Sequence, residues 1–384
     1  MRRPSPPCRP LPASAVSVER RRRGGPFVLM LLGTTSACVA CAMWIPDAGD
    51  LPLAVAPAQR AKAPPAVRPG TAPPTAEPVR GRPVRPRASD PALPPCGRLT
   101  GTPTRPAGFY FADRTVPGQV VLTFDDGPLH GKTRRLLAVL RARGLRATFF
   151  VVGQMINRRS YRVIQTLVRD GHILGNHTYH HDLGMARVDQ AEARIYAEFQ
   201  LTQAMVDIAL LAESPRQFDG LRRRLLGPRA PVRFRDTLVR TWPAIERRWR
   251  AILADYGNAS LYRMVYARPP GGNPFGPAFS NTARRAYTRA VHRAGLINVL
   301  WRSGTANDFR YLSREERLSP NRIARSIVFA ARVGGILLIH DQIPAAGLAA
   351  GLDDVIRFSN LHVISLSQMT RRRYGCEPIP PLRP

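Results

Sequence analysis

The sequence predicts an α/β fold on a parallel sheet or barrel, and three observations carry that prediction. Short apolar runs rich in β-formers recur at residues 120–124 (VVLTF), 147–153, 172–178, 297–301, 335–339 and 362–366, with helix-spaced stretches between most of them. Strands separated by helices pair in parallel, because the chain needs a crossover to return to the same end of the sheet. Proline concentrates in the first hundred of 384 residues, which leaves about 280 for one large core. Polar residues also gather at the C-terminal ends of several runs, where α/β barrels assemble their chemistry.

In chain order, residues 1–25 form a basic N-terminus in which Arg20, Arg21, Arg22 and Arg23 precede an uncharged stretch, 26–46. That length suits a secretory signal or a retained membrane anchor of about 20 residues. The arginines would hold the N-terminus in the cytoplasm and send the rest across. The expected location is therefore exported, either periplasmic or membrane-anchored and facing the periplasm. Residues 47–108 are dominated by Pro, Ala and Arg with no apolar period. Such a segment cannot bury enough surface to offset its ordering entropy, so it reads as a disordered tether.

The folded domain is expected over 109–376, with 377–384 as a tail. Its first helix spans 133–144 and ends in Gly144; later helices are expected at 161–170, 192–212, 281–294 and 320–332. Residues 213–258 break the strand–helix rhythm, and their scattered Leu, Trp and Arg at helical spacing predict a helical insertion or lid.

The net charge is +32, and Lys62 and Lys132 are the only lysines; +9 lies in residues 1–95 and +23 in the rest. Arginine thus covers the domain as well as the tether. This fits an anionic partner such as acidic polysaccharide, peptidoglycan, phospholipid or nucleic acid, and equally a solvated basic surface with no dedicated partner. No helix-turn-helix or aromatic–basic interleaving supports nucleic acid, and the export segment opposes it. Among five cysteines, none has zinc-finger spacing. Cys96 and Cys376 flank the domain, so in an oxidising compartment they either close it with a disulfide or stay as two thiols.

Four motifs carry the chemistry. TFDDGP (123–128) ends an apolar strand with two adjacent carboxylates, Asp125 and Asp126, a pair suited to one metal ligand and one base. By itself it also reads as an ordinary turn. NHTYHHD (176–182) supplies His177 and His181, four apart, so that one helical turn would bring both imidazoles together, with His180 as the competitor. RPPGGN (268–273) locks Arg268 with two prolines, where it can clamp a carboxylate, and the Gly-Gly that follows leaves backbone N–H groups approachable by an oxyanion; a loop turn with a surface Arg is the alternative. ILLIHD (336–341) delivers His340, a general-acid candidate, at a strand end.

In this order, with Asp308 following a Trp-containing strand, the motifs resemble those of the polysaccharide deacetylases, carbohydrate esterases with a NodB-type homology domain. The resemblance covers roughly residues 118–371. It implies a distorted (β/α) barrel and a divalent metal, most often Zn2+, with Co2+ or other divalent ions as alternatives. The implied ligands are Asp126, His177 and His181. Asp125 would be the base, oriented by Arg268; His340 the acid, tuned by Asp308; and the Gly271 N–H an oxyanion donor. The implied reaction removes N-acetyl or O-acetyl groups from a cell-wall or exported polysaccharide, an anionic one included. Two departures stand out: Gly271 replaces the family's usual aromatic residue, and Phe309 its usual Trp. The rival expectation is a catalytically inactive, basic polysaccharide-binding protein on the same fold.

Overall fold

The computed structural model describes residues 101–102, 105–106, 108–109, 118–227, 234–257, 260–302, 320–358 and 361–377. The expected export segment, most of the tether, Cys96 and Asp308 lie outside them. Among the described residues, no helix is long and apolar enough to cross a membrane.

Ten strands and nine α-helices occur among the described residues. Short strands β1 (Gly101–Thr102), β2 (Arg105–Pro106) and β3 (Gly108–Phe109) precede the main alternation. Next come β4 (Gln119–Gly127), α1 (His130–Arg141), β5 (Thr148–Val151), α2 (Tyr161–Arg169) and β6 (Ile173–Asn176). Three helices follow without a strand: α3 (Ala191–Leu211), α4 (Pro215–Leu226) and α5 (Phe234–Asp255). The alternation resumes with β7 (Tyr266–Ala267), α6 (Asn281–Arg293), β8 (Ile297–Val299), α7 (Pro320–Val333), β9 (Gly335–His340), α8 (Ala345–Phe358), β10 (His362–Ile364) and α9 (Leu366–Tyr374).

The expected boundary at residue 109 needs one correction. β1 and β2 pair with each other, and β3 pairs in parallel with β8, so strand pairing reaches into the stretch read as tether. Main-chain pairing at a sheet edge demands no apolar pattern, which is why composition hides it.

All pairings within the large sheet are parallel. β4 lies at its centre. It pairs along Val120–Asp125 with β9, while its other edge is shared by β10 near its start and β5 near its end. The order continues β5-β6-β7-β8. The sheet curls back on itself until the Arg302 N–H, just past β8, donates to the Ile336 carbonyl of β9 at 3.0 Å. One hydrogen bond at that seam, and one residue pair between β6 and β7, make the barrel distorted.

Strand alternation sorts the core into two layers. Val120, Leu122 and Phe124 of β4 face the helices, with Phe124 stacked on Phe149 at 4.9 Å. Val121 faces the barrel interior with Phe150, Tyr266, Val299 and Ile336, and by the same period so do Thr123 and Asp125. The helices bury their apolar stripes against this wall: Leu136, Leu137 and Leu140 in α1, and Val163, Ile164 and Leu167 in α2. A left-handed Gly144, φ 63°, follows α1.

The insertion is a helical pair packed on α3, whose residues are buried nearly all round. Asp207 of α3 ties it down. Its carboxylate accepts from Ser260 Oγ at 2.9 Å, Trp249 Nε1 at 3.1 Å and the Leu261 N–H at 3.3 Å. Burial outweighs these bonds and pushes the Asp207 carboxyl up to about 7. At the C-terminal end Cys376 is buried and disulfide-bonded, and Glu377 pairs with Arg371.

Candidate active site

The two carboxylates of TFDDGP would face opposite sides of a regular strand. A register shift against β5 between Asp125 and Gly127, with φ 70° at Asp126, breaks the alternation. Both carboxylates then reach one imidazole: His177 Nε2 lies 3.6 Å from Asp125 Oδ2 and 3.5 Å from Asp126 Oδ1. Gly127 is required at the next position, because a Cβ there would sit 2.0 Å from the Asp341 carboxylate.

The histidines converge by a route different from the expected helical turn. Residues 177–181 are irregular, with left-handed backbone at Thr178 (φ 64°) and His181 (φ 55°). The Asn176 side chain accepts from the Thr178 N–H and the Thr178 hydroxyl from the His181 N–H, which tightens the turn from within. His181 Nε2 comes within 3.0 Å of Asp126 Oδ1, and the two rings lie 5.0 Å apart. His180 is turned aside to the Glu198 carboxylate, Nδ1 to Oε1 at 2.7 Å, which removes it as the competing ligand.

Arg268, fully buried beyond β7, spans the barrel interior. Its Nη1 donates to Asp125 Oδ1 at 2.7 Å and to Thr123 Oγ1 at 2.8 Å. Its Nε and Nη2 reach the Val299 and Leu300 carbonyls, and its guanidinium lies 4.2 Å from the Phe150 ring centre. The expected clamp on a carboxylate is therefore formed on Asp125, with Oδ2 left facing the histidines. The Arg268 carbonyl has a second job: it lies 2.8 Å from His177 Nδ1. A carbonyl can only accept, so Nδ1 carries the proton and Nε2 presents a lone pair to the carboxylates.

His340 ends β9 in direct register with Asp125 on β4, so both side chains leave the sheet on the same face. Asp341, which the motif reading passed over, is fully buried beside them. Its carboxyl accepts from the Thr133 hydroxyl and its N–H donates to the Asp125 carbonyl. Burial and the neighbouring charges of Asp126 and Asp125 push the Asp341 carboxyl up to about 7. Gly271 is exposed at φ 60°, and a Cβ there would lie 2.9 Å from Leu183 Cδ2. Leu183 thus crowds the place where any side chain at position 271 would begin.

The donor set fits a divalent cation. One ligand atom from each of Asp126, His177 and His181 lies within 4.8 Å of the others. Asp126 Oδ1 is buried and receives no hydrogen bond of good geometry. Burial raises the Asp126 carboxyl, while protonated His177 and His181 imidazoles would hold it well below the usual carboxylate range. Imidazole lone pairs turned on a carboxylate repel it; a proton or a metal ion at their common point reverses the sign.

A polysaccharide deacetylase family model matches residues 112–218. Over those residues the chain is similar to the polysaccharide deacetylases. Asp125, Asp126, His177 and His181 fall within the match, while Arg268 and His340 lie beyond it. Among curated deacetylases, the peptidoglycan-N-acetylmuramic acid deacetylase of Bacillus subtilis is 34% identical over 84 residues, 22% of this chain and 32% of that protein. The chitin deacetylase of Colletotrichum lindemuthianum is 40% identical over 80 residues, 20% of this chain and 32% of that protein. The matched stretches thus span about a third of these relatives. A solved family 4 carbohydrate esterase from Streptomyces lividans superposes over 69% of this chain and all of its own, with TM-score 0.42 and 22% identity.

Proposed function

We propose that this deacetylase domain uses a divalent metal, zinc foremost, to hydrolyse acetamido groups of a cell-wall or exported polysaccharide. The observation that carries the reading is the meeting of Asp126, His177 and His181 beside Asp125, one of whose oxygens is held by a buried arginine. An ion bound by those three residues would polarise the acetyl carbonyl and acidify water.

The remaining work falls to this chain's own groups. Arg268 engages Asp125 Oδ1, so Oδ2 is the oxygen that takes the proton of the attacking water. Oxygen adds to the acetyl carbon, and the Gly271 N–H is the donor assigned to the developing oxyanion. His340 gives a proton to the sugar nitrogen as the C–N bond breaks; acetate and a free amine leave. The adjacent register of Asp125 and His340 lets base and acid serve one substrate atom pair. Asp308 is assigned to tune His340.

Residues 20–46 support an exported domain, either released or retained on the membrane, and the +32 charge supports an acidic glycan. Zinc titration into chelator-stripped protein tests the centre: one equivalent is expected to bind, and Asp126→Ala to abolish it. Acetate release is then measured on peptidoglycan, poly-N-acetylglucosamine, chitin fragments and acetylated exopolysaccharide, with a chelator control. Glycan binding without acetate release from any of them would leave the inactive binding protein as the correct reading.

A further inference from the structure

Glu198 lies outside all the motifs, on the face of α3 that meets the metal-ligand turn. Its carboxylate has no solvent exposure, and a buried carboxylate is costly unless fully bonded. Its bonds all come from one turn. Oε2 accepts from the N–H groups of Tyr179 at 2.9 Å and His180 at 2.8 Å, and Oε1 meets His180 Nδ1 at 2.7 Å. One helical turn earlier, Arg194 reaches Asp182 at 2.5 Å. Two residues of one helix face therefore grip the segment that begins with His177 and carries His181.

The grip answers a specific strain. Thr178 and His181 are left-handed, a conformation unfavourable for L-residues, and Tyr179 and His180 lie between them. Anchoring those two N–H groups holds the turn in the one shape that aims His181 at Asp126.

We infer that Glu198 is a positioning residue whose buried carboxylate sets the His177–His181 turn and, through it, the geometry of the metal ligands. The inference rests on the metal reading above. Glu198→Gln keeps one carbonyl oxygen for the backbone donors and loses the acceptor for His180. Its zinc Kd is expected to rise tenfold or more, the scale on which groups supporting metal ligands act. Asp207→Asn removes another buried carboxylate of the same helix, about two and a half turns away, and is expected to leave the zinc Kd unchanged.

A folded Glu198→Gln protein with wild-type zinc Kd overturns the inference. So does an equal rise in both variants, which would mark general loosening of α3. Amide hydrogen exchange in metal-free wild type provides a measurement independent of any variant. Slow exchange at Tyr179 and His180 supports the anchor, and exchange at open-loop rates overturns it. If wild type binds no zinc, the metal reading fails, while amide protection still reports whether Glu198 holds the turn.

Discussion

Arg268 and His177 are joined by a hydrogen bond that runs through the arginine's main chain, carbonyl to Nδ1 at 2.8 Å, while its side chain holds Asp125. One residue thus orients the proposed metal ligand His177 and the proposed base Asp125 together. The two tasks use different atoms, and they respond differently to substitution.

Arg268→Lys keeps the carbonyl and the charge but loses the planar fork that reaches Asp125, Thr123, Val299 and Leu300. Breaking such a buried pair costs about 3–5 kcal/mol when one partner is removed, and lysine should forfeit a large part of that. Chemical denaturation is expected to show the loss, with acetate release down roughly 100-fold or more. Zinc Kd is expected to change far less, because the His177 contact is retained.

Asp125→Asn separates base from ligand. The substitution removes the proton acceptor, and general-base loss costs about 10²–10⁴ in rate. Zinc uptake should persist, since the proposed ligands are Asp126, His177 and His181. Calorimetric titration beside acetate kinetics reads both; abolished zinc binding would reassign Asp125 as a ligand.

Gly127→Ala places a Cβ 2.0 Å from an Asp341 oxygen, so the strand end or Asp341 must move. Overpacking of this kind typically costs about 1–3 kcal/mol. With Asp341→Ala in the background the clash is gone, and the double variant should be more stable than the two separate losses predict. Urea unfolding of the four proteins closes that cycle.

Asp207 yields a pH prediction. Its folded carboxyl, pushed up to about 7, binds a proton that the unfolded chain releases near its usual 3.8. Between those values the folded state holds more protons, so stability falls as pH rises, with a slope approaching about 1.4 kcal/mol per unit from this group. Melting temperature measured from pH 4 to 7 should decline in wild type and decline less in Asp207→Asn.

The primary structure determined the alternation of strands and helices, because apolar period is a local property that burial on a sheet enforces. It also determined the motif positions: the expected first helix, strand ends and insertion correspond to α1, β4, β6, β9 and the α4–α5 pair. Within the site, Asp125, Asp126, His177, His181, Arg268 and His340 were legible because each is a polar residue closing an apolar run. Tertiary structure decided the rest. His180 is held by Glu198 of α3, and Thr178 and His181 have left-handed backbone; spacing encodes neither. Asp341 reads as the last letter of a strand motif, and its buried contact with Thr133 appears only when α1 meets the residue that follows β9. The pairing of β4 with β9 on one edge and with β10 and β5 on the other joins residues far apart in the chain. Local pattern specifies elements; long-range packing specifies which polar atoms lose water and must therefore find one another.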